Sequence, residues 1–334
     1  MATSSYFGRN SFVGVAQESG WGSAVTTPTV SRPIVSCSML RQVEKVPRAN
    51  LRVMGVAGLR PGHYIASDKA TGSLELEATY DNIGYFIDAA LGESSTGSAS
   101  GDGIYTHTYS LGDVPVKGTT MRLQRGTSDY SETFTGVVFN TLTLACAAGE
   151  HMSLTLDMIG KTSTDTEGPR GDTPLSLTDP SKENLVLHHH ASALNWNSNN
   201  FTMIDFEYKI ENGLAERMYL GSLTTLQPVQ SDYRNVTVTV TIETDDVQGY
   251  KAFIDDTVKD LEVTFHNDGS AALERELKVT MKECYIESYT DEISETGMVT
   301  ASVTFKAQGS GGAAGDRGTQ ILVKNINSTA VHNG

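Results

Sequence analysis

Residues 235–256 read NVTVTVTIETDDVQGYKAFIDD. Val236, Val238, Val240 and Ile242 alternate with Thr237, Thr239, Thr241 and Glu243. That period of two predicts a strand with one apolar and one wet face. The spacing then turns helical with no loop between, through Val247, Tyr250, Phe253, Ile254 and Val258, with Asp245 or Asp246 placed to cap. The same switch is written once before, in residues 73–91, SLELEATYDNIGYFIDAAL. There Leu74, Leu76 and Ala78 oppose Ser73, Glu75, Glu77 and Thr79. Asp81 stands as the cap, Ile83, Phe86, Ile87, Ala90 and Leu91 form the stripe, and Gly92 ends it.

The two stretches belong to a longer repeat. Leu74 and Leu76 correspond to Val240 and Ile242, 166 positions on, and Phe86-Ile87-Asp88 corresponds to Phe253-Ile254-Asp255, 167 positions on. Leu154, Leu156 and Gly160 correspond to Val303, Phe305 and Gly309. Two copies are too few for a solenoid, which needs about three. Two similar units in one chain point instead to pseudosymmetry within a ring.

Other alternating runs surround these: 121–125, 139–146, 151–159, 201–210, 261–265, 277–285 and 299–307, with Asn267-Asp268-Gly269 as a hairpin signal. The fold class expected is mainly β: two tandem β-sandwich or split-barrel units, each with a short flanking helix. The expected divisions are an N-terminal arm at 1–35, a first unit at 36–162, a linker at 163–185, a second unit at 186–309 and a Gly-rich tail at 310–334. The first unit contains a loop at 41–70 carrying Arg41, Lys45, Arg48, Arg52, Arg60 and Lys69 against Glu44 and Asp68. A basic loop in an acidic chain suggests a contact arm for the acidic surface of a neighbouring copy, with Asp245, Asp246, Asp255 and Asp256 as candidate partners.

The chain has 334 residues, 38% of them hydrophobic, and a formal charge of −15. It is long enough for real cores. Its charge argues against gripping DNA or an anionic membrane, though not against passing near DNA. No signal peptide is read at the start, and no run approaches the roughly 18 apolar residues of a membrane span. Cys37, Cys146 and Cys284, odd in number and far apart, read as free thiols of a chain made in a reducing cytoplasm.

Chemistry-bearing motifs are sparse. His188-His189-His190 on a strand would put two imidazoles on one face, but no Cys, Asp or Glu stands at ligand spacing, so no metal or other cofactor is expected. Glu75 and Glu77 share a face, as an acid–base pair would, yet in a Ser/Thr-rich face they read as solvated. No phosphate loop, nucleophile elbow or zinc signature occurs, so no enzyme activity is expected. Arg170-Gly171-Asp172 reads as chance.

Residues 14–28, GVAQESGWGSAVTTP, resemble the opening of the tail tube proteins of long-tailed bacteriophages. The order that follows is similar to that family too: basic loop, GSLELEATYDNIGYFIDAALG, FTMIDFEYKIENGL, YRNVTVTVTIETDDVQGYKAFID, and a final VTASVTFKAQG. The resemblance implies a structural virion protein of the tail, assembled in the host cytoplasm into stacked rings. It implies an inner β-barrel with an acidic bore for DNA, which binds DNA at no specific site and touches no membrane. Partners implied are further copies of the chain and the tape measure, tail tip and terminator proteins. Such rings often hold six single-unit subunits, so two units per chain imply homotrimeric rings of pseudo-sixfold symmetry. Glu75, Glu77, Glu243, Thr239 and Thr241 are then the expected lumen-lining residues; Arg41, Lys45, Arg48, Arg52 and Arg60 are the expected inter-ring contacts. The alternatives are another virion component, a decoration or tail-terminator protein, or a carbohydrate-binding β protein. The last is disfavoured by having only Trp21 and Trp196.

Overall fold

A computed structural model describes residues 11–26, 28, 30–48, 62–100, 103–112, 118–125, 131–164, 185–243, 248–267, 274–292, 299–309 and 318–328. The first half contains β1 (Phe12–Gln17), β2 (Val30–Pro33), β3 (Ser36–Cys37), β4 (Leu40–Pro47), β5 (His63–Glu77) and α1 (Ile83–Leu91). It continues with β6 (Gly92–Thr96), β7 (Tyr105–Leu111), β8 (Thr119–Gln124), β9 (Ser131–Ala147), β10 (Ser153–Gly160) and β11 (Thr162–Thr164). The second half contains β12 (Leu194–Trp196), β13 (Asn199–Phe201), β14 (Met203–Glu211), β15 (Leu214–Arg217), β16 (Leu226–Gln230) and β17 (Asn235–Glu243). It ends with α2 (Gln248–Ile254), β18 (Lys259–Asn267), β19 (Arg275–Glu292), β20 (Thr300–Ala307) and β21 (Thr319–Asn325). The fold is mainly β, and among the described residues the ladders between its strands are antiparallel.

The alternating sequences do what their period dictates. In β17 the valines and Ile242 are buried and the threonines half-buried; β10 and β20 repeat the pattern. These three strands lay their apolar sides on one core, which runs from Val13 to Val323. Burying a side chain of this size stabilises by roughly 1.5–3 kcal/mol, so the period sets which side faces in.

Pairing orders the inner sheet as β3/β4, β5, β10, β9, β14, β17, β20 and β19. The halves meet where β9 pairs β14, from Thr141 opposite Glu211 to Ala147 opposite Asp205. The long strands β9 and β19 each serve two layers. The N-terminal part of β9 pairs β8 and β11, and β1 and β2 extend that layer past β8. Likewise the N-terminal part of β19 pairs β18 and β21, and β12 and β13 extend it past β18. The pairing scheme therefore recurs between the halves. The first half adds the hairpin β6–β7, whose β7 pairs β21 of the second. The second adds the hairpin β15–β16.

Several expectations change. The described part of the expected arm is not free: β1 pairs β8 and buries Val13 and Val15. Of the segment 41–70 expected as a loop, residues 41–47 and 63–70 are paired strands, and residues 49–61 lie outside the described residues. The tail 310–334 contains β21, held between β19 and β7. Residues 165–184 of the expected linker lie outside the described residues. His188–His190 form a 3-10 turn rather than a strand.

The helices differ as well. In α1 Ile83, Phe86, Ile87, Ala90 and Leu91 are buried as expected, and left-handed Gly92 caps the end by donating to Asp88 O. Asp81 does not cap it; Asn82 holds that place, and Asp81 pairs with Arg275. In α2 the expected stripe is largely uncovered: Tyr250, Ile254 and Val258 are exposed, while Phe253 stacks on Tyr289. The reason is local. Hairpin β6–β7 follows α1 and packs on it, whereas α2 runs almost directly into β18. Val247, Asp245 and Asp246 lie outside the described residues; Asp255 and Asp256 are exposed.

Candidate functional site: a polar sheet face spanning both halves

The inner sheet turns its wet side outward along its whole width. Ser73, Glu75 and Glu77 come from β5, Ser153, Thr155 and Asp157 from β10, and Thr141, Thr143 and Ala145 from β9. Across the seam follow Asp205, Glu207, Lys209 and Glu211 of β14, Thr237 to Glu243 of β17, and Thr300 to Lys306 of β20. The side chains are short or acidic because each occupies the off-beat position of a strand whose on-beat is core.

Cross-strand bonds order this face. Thr239 and Thr304 share a hydroxyl hydrogen bond of 3.3 Å, Ser36 Oγ donates to Glu75 at 2.8 Å, and Ser38 meets Ser73 at 2.9 Å. Its two lysines are each held by a carboxylate. Lys209 Nζ lies 2.5 Å from Glu211, which raises the ammonium and lowers the carboxyl. Lys306 Nζ lies 2.7 Å from Glu287, a bond that raises its pKa. With both cations matched, Glu75, Glu77, Asp157, Asp205, Glu207 and Glu243 leave the face net acidic.

Glu75, Glu77, Thr239 and Thr241 meet around a single open hollow of about 500 Å³, with Asp205, Glu207, Glu150 and His151 beside them. The first pair comes from one half and the second from the other. Glu243 lies at the exposed end of β17, outside that hollow. Among the described residues no group of three or more His, Cys, Asp or Glu is placed to hold a metal. The three cysteines are free, and burial pushes Cys146 up to about 11 and Cys284 up to about 12, so neither is a ready thiolate.

A β-rich chain whose two halves share one strand scheme and one continuous polar face matches a family model. The model, described as phage tail tube protein, covers residues 8–307. The chain belongs to the phage tail tube protein family. No curated protein matches it significantly. It is therefore a structural tail component by family, and no helix among its described residues is long and apolar enough to cross a membrane.

Within this tail tube protein the expected inter-ring residues are scattered in role. Arg41 is committed to Asp68 across β4–β5, at 2.8 and 2.6 Å. Lys69, a cation of the same segment outside that set, is committed to Glu216 at 2.6 Å. Lys45 and Arg48 are solvent-facing on the hairpin, while Arg52 and Arg60 lie outside the described residues.

Two features escaped sequence reasoning. Hairpin β15–β16 and its flanks expose Met218, Tyr219, Leu220, Leu223, Leu226 and Tyr233, and Leu220 is fully exposed. Met218-Tyr219-Leu220 before Gly221 was the available signal. The second is Glu18. Its carboxylate is 1% exposed and accepts from Gly22 N at 2.7 Å, Thr120 Oγ1 at 2.9 Å and Gly136 N at 2.8 Å. Residues 17–22, QESGWG, therefore form an internal brace: Glu18 collects the donors and Trp21 lies against Gly136.

Proposed function

We propose that the chain is the major tail tube subunit of a long-tailed phage particle or a related gene-transfer particle, self-assembling into stacked rings that form the channel for DNA. It carries two tube units, so three chains complete a pseudo-sixfold ring. The observation that supports this best is the inner sheet itself: each half contributes the same strand sequence, and one acidic, Ser/Thr-rich face crosses the seam unbroken. Closed into a barrel, that face is the bore, with Glu75, Glu77, Thr239, Thr241 and Glu243 on its wall. Short acidic side chains repel phosphate and give DNA nothing to grip. Closure also removes the exposed strand edges that otherwise invite aggregation.

The role is geometric and non-enzymatic. Lys45 and Arg48, with Arg52 and Arg60 of the sequence that follows, reach the next ring, and the apolar hairpin β15–β16, which follows β14 as the basic segment follows β4, does the same from the second half. Arg41 acts inside the subunit, fixing the hairpin to Asp68. Tape measure, tip and terminator proteins are the other partners.

Negative-stain electron microscopy of concentrated protein, with its mass in dilute solution, tests this reading. Hollow tubes with a regular ring repeat and threefold mass are expected. A persistent monomer with no tubes, even beside a tail-initiation complex, overturns it.

A further inference from the structure

The chain contains an internal copy of the junction that would join it to its neighbour. Within one chain β9 of the first half pairs β14 of the second. The recurring scheme makes β19 the counterpart of β9, and the segment through β3 and β4 the counterpart of β14. The registers agree residue by residue. Ser36 opposite Glu75 and Cys37 opposite Leu74 match Asp205 opposite Thr241 and Phe206 opposite Val240. Ala145 opposite Ser153 and Leu144 opposite Leu154 match Thr290 opposite Ser302 and Tyr289 opposite Val303.

The two counterparts sit at opposite ends of the inner sheet. Among the described residues, β3 and β4 are laddered only to β5, and Ser288–Asp291 only to β20. Both ends show what a missing neighbour leaves behind. Val35 is 56% and Leu40 48% exposed, and Asp291 is exposed where its counterpart Cys146 is buried.

We propose that the β3–β4 edge pairs antiparallel with the C-terminal part of β19 of a second copy, in the register that β14 and β9 hold within the chain. The proposal rests on the ring reading above and names its seam. Glu207 opposite Ala145 translates to Ser38 of one copy opposite Thr290 of the next, and Phe206 opposite Cys146 translates to Cys37 opposite Asp291. Arg125 donates to Met39 O at 3.1 Å and pairs with Glu132 at 2.9 Å, so the backbone of this edge is anchored to the first half from beneath. Repeating the seam carries the inner sheet from chain to chain until the ring closes, with intrachain and interchain junctions alternating.

The test is a cysteine pair, S38C with T290C, in a Cys37→Ser background so that the native thiol at the same edge cannot compete. After assembly and mild oxidation, non-reducing denaturing electrophoresis should show a ladder that reductant collapses and that ends at the number of chains per ring. S38C paired with S302C, one strand further in, should stay monomeric. Assembled tubes of S38C/T290C that remain monomeric on the gel overturn the seam and leave the tube reading standing. Failure of the unsubstituted chain to form any ring or tube overturns both. Hydrogen exchange on the unsubstituted chain asks the same question without substitution. Amides of residues 36–39 and 288–291 should become protected on assembly, and unchanged exchange there in assembled tubes overturns the seam.

Discussion

Arg275 Nε lies 3.0 Å from Asp81 Oδ1, joining residues 194 positions apart. Both side chains are under a tenth exposed. The pair anchors a polar knot between the halves: Asn325 Nδ2 donates to Tyr80 O at 2.9 Å, Asn327 Nδ2 donates to Asp81 O, and His107 Nε2 lies 3.0 Å from both Asn325 Oδ1 and Asn327 O.

Breaking that ion pair on one side strands a buried charge. Arg275→Ala and Asp81→Ala are each expected to cost about 3–5 kcal/mol, read by denaturant unfolding. Replacing both with apolar residues of similar size should recover much of the loss. Single variants within about 0.5 kcal/mol of the parent would show that the pair contributes nothing.

His107 is fully buried and faces two acceptors through Nε2, so Nε2 carries the proton and Nδ1 accepts from Thr96, 3.1 Å away. Burial, the largest effect, lowers its pKa. Between the lowered folded value and the ordinary one the unfolded chain binds more protons, so stability should fall as pH drops below about 6.5. His107→Gln should flatten that slope in unfolding curves recorded across this range. An unaltered slope would assign the pH dependence to other groups.

Glu18 accepts from two backbone amides and the Thr120 hydroxyl. Glu18→Ala should destabilise the first half by about 1–3 kcal/mol for each donor left buried without a partner. Gly136→Ala should also destabilise, since φ is +63° and a Cβ would stand 3.0 Å from Lys161 and 3.1 Å from Trp21. Unchanged melting of both variants would remove the brace from the account.

Glu75→Lys with Glu77→Lys changes the face proposed to line the bore without touching the core. Normal folding and tube formation are expected, with reduced DNA delivery scored as infectivity of complemented particles. Normal infectivity would argue that these residues face elsewhere.

Much of this could be read before any fold was known. The alternation in 235–243 and 73–77 assigned the strands and their wet side, because one-sided burial is enforced residue by residue. Local spacing also found α1, whose stripe is buried, and the correspondence of Leu74 and Leu76 with Val240 and Ile242. The same spacing mistook α2 for an equally buried helix and Asp81 for a cap. Helical periodicity states which residues share a face; it cannot state whether hairpin β6–β7 or solvent covers that face, nor that Arg275 waits 194 positions away.

The sequence by itself determined period, hence strand faces, the acidic polar side and the doubling of the pattern. Only tertiary structure decided which edges meet: β9 against β14, β21 between β19 and β7, Glu18 beneath Gly136. Backbone hydrogen bonding is the same for every strand, so edge pairing carries no local signature. It is chosen by the packing of a whole core at once, through contacts between residues far apart in the chain.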